Sequence, residues 1–290
     1  LFVVLYLSED YQNEYREFVK LCGELNTEIA YLLPIGQNHL HFNAFDLIEP
    51  LIRFDFPGVK LGTGVNAYFA ELNRIRPTVE KADFVSFTIS PQVHAFDDTT
   101  LVENLEAQAE VILSAKLLFP GKPVFVSPVT LKQRFNVVAT AREPESGAGS
   151  LPSSVDVRQM SVFAAAWTLG SLKFLSQSGA GLVTYYETTG WKGLIQGDIF
   201  PVCTALREIA GTTKVIHSSS SHPLLFDGLM VKSEHETKLF LFNFSPENLE
   251  IRIEPTSSPK RFRSMLDDTI TGSSNQKLQL RARDLVVISC

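Results

Sequence analysis

The chain has 290 residues and a formal charge of −6 at pH 7, with 44% apolar and 20% charged residues. These are the proportions of an ordinary globular protein, and the absence of any basic stripe argues against a nucleic-acid partner, because phosphate binding needs a basic face. No apolar run reaches the roughly 18 to 20 residues that cross a bilayer. Cys22, Cys203 and Cys290 are too few and too widely spaced for a disulfide framework or a CxxC metal site.

Residues 2–7 open the chain with an apolar run. It lacks the basic n-region and small-residue cleavage site of a leader peptide, so it reads as a buried strand. A helix comes next over 14–25, with Phe18, Leu21, Cys22 and Leu25 on one stripe. The second strand, 29–33, is closed by Pro34 and followed by the segment 45–52. A third run, 59–65, is interrupted by Gly62 and Gly64, and a fourth covers 84–89. After it a helix is expected over 101–118, where Leu105, Val111, Ile112 and Ala115 approximate a 3.6 period. Residues 123–129 make the fifth strand. A Gly/Ser/Pro stretch at 143–154 reads as a loop or lid. One long helix is expected over 157–176, with Met160, Phe163, Ala164, Trp167 and Phe174 facing the core. The sixth strand is 182–186, a helix covers 201–209, and 214–217 is expected as a seventh strand.

Short apolar runs alternating with amphipathic helices imply a parallel sheet covered on both faces. No G-x-G-x-x-G or Walker A fingerprint comes after any strand, which removes support from the nucleotide-binding versions. Seven strands are one short of a barrel, and the chain begins in mid-strand without Met, so the expected repair is a first strand lost at the N-terminus. From Pro223 the period changes to short strands without helices, at 225–231, 238–244, 249–253, 277–280 and 285–289. The expected architecture is therefore α/β: a (β/α)8 TIM barrel over 1–222, its first strand missing, and a C-terminal antiparallel β-sandwich over 223–290.

In a barrel the working groups sit at the carboxyl ends of strands. Two carboxylates stand out there: Glu71 after the third run and Glu187 after the sixth. Counted with a missing first strand, these lie just past barrel strands four and seven. Those strands carry the acid/base and the nucleophile in the clan of retaining barrel glycosidases, which the layout resembles. A carboxylate among Tyr185, Tyr186 and Trp191 is partly desolvated, which raises its pKa toward the range of a general acid or base. The same rings offer flat faces to a sugar. Asn73, Arg74, His94 and Arg134 are expected to bind substrate, the arginines through forked donors. Against this stands the plainer reading of each Glu as a solvated loop residue or an ion-pair partner. His39, His41 and His94 are three potential zinc ligands, but nothing in their spacing fixes them together. Neither a metal nor a cofactor is expected. Ser127 and Thr130 lack the G-x-S-x-G elbow of a serine nucleophile.

The strings that carry these candidates are long. Gly62-Thr63-Gly64 with Asn66-Ala67-Tyr68-Phe69-Ala70-Glu71-Leu72-Asn73-Arg74 resembles the D-apionate lactonase family. So do Ser90-Pro91-Gln92-Val93-His94-Ala95-Phe96-Asp97 and Ser127-Pro128-Val129-Thr130-Leu131. Trp167-Thr168-Leu169-Gly170-Ser171-Leu172-Lys173 and Thr184-Tyr185-Tyr186-Glu187-Thr188-Thr189-Gly190-Trp191 are similar to the same family. The resemblance implies hydrolysis of D-apionolactone to D-apionate in bacterial catabolism of apiose, on a fold related to the glycosidase clan. It also implies an N-terminal β-domain of the same chain, before the barrel, and a small sugar or sugar-lactone substrate in the cytoplasm. On this reading one Glu activates water and the other protonates the leaving ring oxygen. The alternative is a retaining glycoside hydrolase with Glu71 as acid/base and Glu187 as nucleophile. That clan usually has Asn directly before its acid/base Glu, whereas Ala70 precedes Glu71 and the nearest Asn is Asn73. A sugar-binding barrel without turnover and a zinc hydrolase complete the expectations.

Overall fold

A computed structural model of the chain describes residues 1–134, 151–152, 154–254, 261–267, 270–271 and 277–289. The apolar runs form six parallel strands: β1 (Phe2–Leu7), β2 (Tyr31–Gly36), β3 (Lys60–Tyr68), β4 (Phe84–Ile89), β5 (Val124–Val129) and β6 (Leu182–Tyr185). They pair in chain order, as a half-barrel sheet whose edges are β1 and β6. The crossovers carry α1 (Tyr11–Leu25), α2 (Phe45–Asp55), α3 (Phe69–Ile75), α4 (Asp98–Leu118) and α5 (Val162–Gln177). None of the helices among the described residues is long and apolar enough to cross a membrane.

Alternation along the strands sorts the side chains. On β3, Val65 and Ala67 join the large apolar cluster shared with Leu105, Ile112 and Trp167 of the helices, while Asn66 between them is turned the other way. The amino ends of the strands are filled by rings. Phe84 and Phe125 stack at 4.2 Å, with Phe2 and Tyr31 edge-on to them. A Cβ on Gly62 would lie 2.2 Å from the Phe84 ring, and one on Gly64, at φ +142°, would lie 2.0 Å from the Ser86 carbonyl oxygen. These two glycines let β3 pass close to β4. Toward the carboxyl ends lie polar side chains, among them Asn66 and Thr88, both buried.

The helix expected over 157–176 is broken. A short 3-10 turn, Val157–Met160, comes first, and Ser161, in extended backbone, caps α5 by accepting from the Ala164 N–H at 3.4 Å. A serine that satisfies an orphan amide starts a new helix. Trp167 is fully buried and donates its indole N–H to the Leu101 carbonyl at 2.8 Å. Beyond β6 the chain makes a small sheet that the periodicity does not announce. It consists of β7 (Glu187–Thr189), parallel to β8 (Gly193–Gln196), with β9 (Asp198–Ile199) antiparallel, and it precedes α6 (Pro201–Glu208).

The expected seventh barrel strand is a correction. β10 (Lys214–Ile216) pairs antiparallel with β11 (Phe226–Lys232), outside the barrel sheet. Three residues are too few to span a barrel wall, and the edge of β11 offers a ready ladder. That sheet continues through β12 (Thr237–Asn243) and β17 (Leu285–Ser289) to β14 (Arg261–Ser264) and β15 (Ile270–Thr271). A second antiparallel pair joins β13 (Leu249–Arg252) and β16 (Lys277–Leu280), and Leu241, Ile251, Leu278 and Ile288 share one apolar cluster between the two sheets. We propose that the division expected at 222/223 falls between α6 and β10.

Helix α5 is buried nearly all round because it lies between the parallel sheet and β11, β12 and β17. Across that contact Lys173 donates to Asp227 at 2.6 Å, with both side chains at most 3% exposed. Burial pushes the Asp227 carboxyl above its ordinary pKa, and the lysine charge pulls it back. Cys22 and Cys203 are free thiols, while Cys290 and most of the expected lid at 143–154 lie outside the described residues.

Candidate active site

Tyr68 ends β3 in extended backbone and begins α3, which places Glu71 in the first helical turn. A carboxylate there is favoured by the exposed amides of the helix start. Glu71 accepts from Arg74 at 2.9 Å through Oε1, while its Oε2 is buried with no hydrogen-bond partner among the described residues. Its side chain is 12% exposed. Glu71, Arg74 and His94 line a cavity of 510 Å³ between α3 and α4.

Glu187 is delivered differently. The Tyr186 amide donates to the Val129 carbonyl at 3.1 Å, which keeps the chain on the sheet for one residue past β6. Tyr186 itself is left-handed, at φ +56°, a conformation that costs a non-glycine residue roughly 1–2 kcal/mol. Its hydroxyl is held against Thr168 Oγ1 of α5 at 2.7 Å. The turn aims Glu187 outward as the first residue of β7, with a side chain 45% exposed and paired to Lys192 at 2.8 Å. Glu187 lines a second, narrower pocket with Thr130, Lys132, Arg134 and Tyr186.

The two carboxylates therefore line different pockets. The consecutive residues Gln133 and Arg134 line one each. Arg134 lines the pocket of Glu187. It donates to Asn66 Oδ1, and Asn66 Nδ2 in turn donates to the Tyr6 hydroxyl. The Tyr6 hydroxyl also meets His39 Nδ1 at 3.3 Å. Burial pulls the Arg134 pKa below its ordinary value against the opposing fields of Tyr6, Tyr68 and Glu187. Burial also pushes the Tyr68 hydroxyl up to about 12, although hydrogen bonding to Gln133 and the Arg134 charge work against the shift. The His39 pKa is lowered by burial and by the Arg134 charge. Tyr6, Asn66 and Tyr68 were missed from the sequence. The signal for Asn66 was present: an Asn between Val65 and Ala67 in a strand of period two faces away from the helices and toward the mouth.

The remaining candidates fall elsewhere. Asn73 accepts from Arg76 at 3.0 Å through both its carbonyl and its Oδ1, which closes the end of α3. The Tyr185 hydroxyl donates to Ser171 Oγ of α5 at 3.0 Å. Trp191 is 38% exposed between β7 and β8. Arg158 grips Asp156 twice, at 2.9 and 2.7 Å, and reaches Asp98 and Gln92 at 2.8 and 2.9 Å. It ties the 3-10 turn to the loop after β4. Burial alone would raise the Asp156 carboxyl, but hydrogen bonds from Arg158 and Gln92 hold it below its ordinary pKa. His41 meets Thr63 Oγ1 at 3.1 Å, and burial lowers its pKa. His39, His41 and His94 are not gathered, and among the described residues no three His, Cys, Asp or Glu form a metal-ligand group.

A family model described as the TIM barrel domain of D-apionate lactonase matches residues 6–214. A D-apionate lactonase from Brucella anthropi is 29% identical over 213 residues, covering 69% of this chain and 34% of that protein. The chain thus spans about a third of the length of the curated relative it matches. Three solved structures share the fold. An α-L-arabinofuranosidase from Thermotoga maritima superposes with a TM-score of 0.62 at 12% identity, covering 96% of this chain and 73% of that one. A conserved exported protein from Bacteroides fragilis gives 0.61 at 13% identity, over 97% and 69%. A GH30 endoxylanase from Clostridium papyrosolvens gives 0.54 at 9% identity, over 97% and 71%. At such identities the likeness is one of fold.

Proposed function

The chain belongs to the D-apionate lactonase family, and from that premise we propose that it hydrolyses a sugar lactone, D-apionolactone foremost, at the seam between Arg134 and Glu187. The observation that carries this reading is a largely buried guanidinium, anchored by Asn66, in the field of a solvent-reaching carboxylate. Lactone hydrolysis needs both. Glu187 takes a proton from water as the water oxygen bonds to the carbonyl carbon. The carbonyl π pair moves onto oxygen, where the Arg134 donors meet the developing charge. When the carbonyl re-forms, the ring C–O bond breaks and the departing oxygen takes up a proton, leaving a hydroxy acid. In this reading that proton comes from the Tyr68 hydroxyl, whose pKa burial raises and the Arg134 charge lowers.

Glu71, the other carboxylate expected to act, lines the neighbouring cavity and is paired with Arg74. In this reading it makes no bond to the reacting carbonyl, and replacing it costs less than replacing Glu187. The alternative, a retaining glycosidase, would require the two carboxyl groups to flank one bond at about 5 to 5.5 Å, with Glu71 and Glu187 released from Arg74 and Lys192. The assay is a pH-stat measurement of acid release from sugar lactones, beside aryl glycosides as controls. The expected result is lactone opening that falls about a hundredfold to ten-thousandfold in Glu187→Gln with an unchanged melting curve. Retention of activity within a few fold would overturn the assignment, as would turnover of glycosides alone.

A further inference from the structure

The antiparallel region packs on the parallel half through α5, and from the turn between β16 and β17 one side chain crosses that boundary. Arg283 lies over the Phe163 ring of α5, its guanidinium carbon 5.1 Å from the ring centroid, and Nη2 meets Asp98 Oδ2 at 2.9 Å. Asp98 is the first residue of α4, and its other oxygen accepts from Arg158 Nη1 at 2.8 Å. One carboxylate thus joins two guanidinium groups from different parts of the fold.

Arg158 carries the connection inward. Its planar fork also meets both Asp156 oxygens and Gln92 Oε1, so it cannot turn at one nitrogen without disturbing the others. Gln92 in turn donates from Nε2 to the Leu131 carbonyl at 2.8 Å. Leu131 belongs to the segment that brings Thr130, Lys132 and Arg134 to the pocket of Glu187, and Asp156 lines the same pocket. The contacts are continuous from Arg283 to that segment.

For stability alone Arg283 is a poor residue at its position. Its backbone is left-handed, at φ +57°, where glycine is at ease and a Cβ is crowded. Its Nη1 is buried with no hydrogen-bond partner among the described residues. A strained residue with an unmet donor calls for a role beyond closing the turn.

We propose that Arg283 is a positioning residue for the pocket of Arg134 and Glu187. It clamps Asp98, Asp98 fixes the Arg158 fork, and the fork holds Gln92 where it grips the Leu131 carbonyl. The antiparallel region thereby supports the site without touching substrate. What is positioned includes the oxyanion donor of the lactonase reading, on which the kinetic half of this inference rests.

Two variants and two readouts test it. Arg283→Gly suits the left-handed backbone, and Arg283→Lys keeps the charge without the fork. With a sugar lactone, Arg283→Gly lowers kcat about three- to thirtyfold, while KM and the melting curve change little, and Arg283→Lys recovers part of the loss. Hydrogen exchange read by mass spectrometry needs no substrate. Residues 130–134 exchange about three- to thirtyfold faster in Arg283→Gly, and β12 exchanges as in the parent. Parental kcat in Arg283→Gly, made by a lactone-opening parent, overturns the inference, as does unchanged exchange at 130–134. Protection lost equally in β12 also overturns it, because Arg283 would then serve only the fold of its own sheet. If the parent opens no lactone, or Glu187→Gln keeps its activity, the lactonase reading falls, and exchange at 130–134 alone decides whether Arg283 positions this segment.

Discussion

Two lysine–carboxylate pairs in this molecule have nearly the same geometry and opposite surroundings. Lys173 and Asp227 meet at 2.6 Å between α5 and β11, sealed from solvent. Lys192 and Glu187 meet at 2.8 Å beside the barrel mouth, with 36% and 45% of their side chains exposed. The first pair cannot exchange its partner for water without a buried charge being left behind. The second can open at little cost, since exposed pairs contribute about 0–1 kcal/mol. Burial decides which carboxylate is a fixture and which is free to meet a substrate.

The contrast is broken most severely at the buried pair. Asp227→Asn strands the Lys173 charge and is expected to lower stability by about 3–5 kcal/mol in chemical denaturation. The double replacement Lys173→Met, Asp227→Leu should recover most of that loss. A small effect from the single variant would mean that water reaches the pair. At the mouth, Arg134→Gln removes the donor that the proposed mechanism assigns to the developing oxyanion. Lactone turnover should fall about a hundredfold to a thousandfold, with the loss in kcat and KM little changed. A pure rise in KM would instead make Arg134 a binding group.

Asp156 sharpens the comparison through pH. Its folded pKa lies below the unfolded value of about 3.9. Its contribution is therefore present above about pH 4 and is lost as pH falls through the folded pKa. The difference in melting temperature between the parent and Asp156→Asn should narrow as pH drops from about 5 toward about 2.5. A constant gap would show that the carboxylate charge is irrelevant there. The smallest effect belongs to the exposed pair, where Lys192→Met should change stability by less than about 1 kcal/mol.

The same regions differ in how much of them could be read from residues alone. The strands β1 to β6 were legible because strands covered on both faces are continuous apolar runs. Glu71 and Glu187 were legible too, as carboxylates placed just past the carboxyl ends of two of those runs. Their pairing over one bond was not legible. Position after a strand says nothing about which way the backbone turns next. Glu71 enters a helix directly and is carried to the helix layer, while Glu187 comes after the left-handed Tyr186 and is turned to the rim. Tyr6 and Asn66 were missed because single polar residues inside apolar strands read as interruptions until the alternation is traced. The break at Ser161 and the transfer of β10 to the antiparallel sheet were decided by contacts distant in the chain.

The most direct test of the central claim is a crystal structure with a cyclic phosphonate analogue of the sugar lactone, whose charged oxygens imitate the tetrahedral intermediate. The account predicts a phosphonyl oxygen within hydrogen-bond distance of the Arg134 guanidinium, with the Glu187 carboxyl on the face that water approaches. An analogue lodged beside Glu71, with no contact to Arg134, would contradict it.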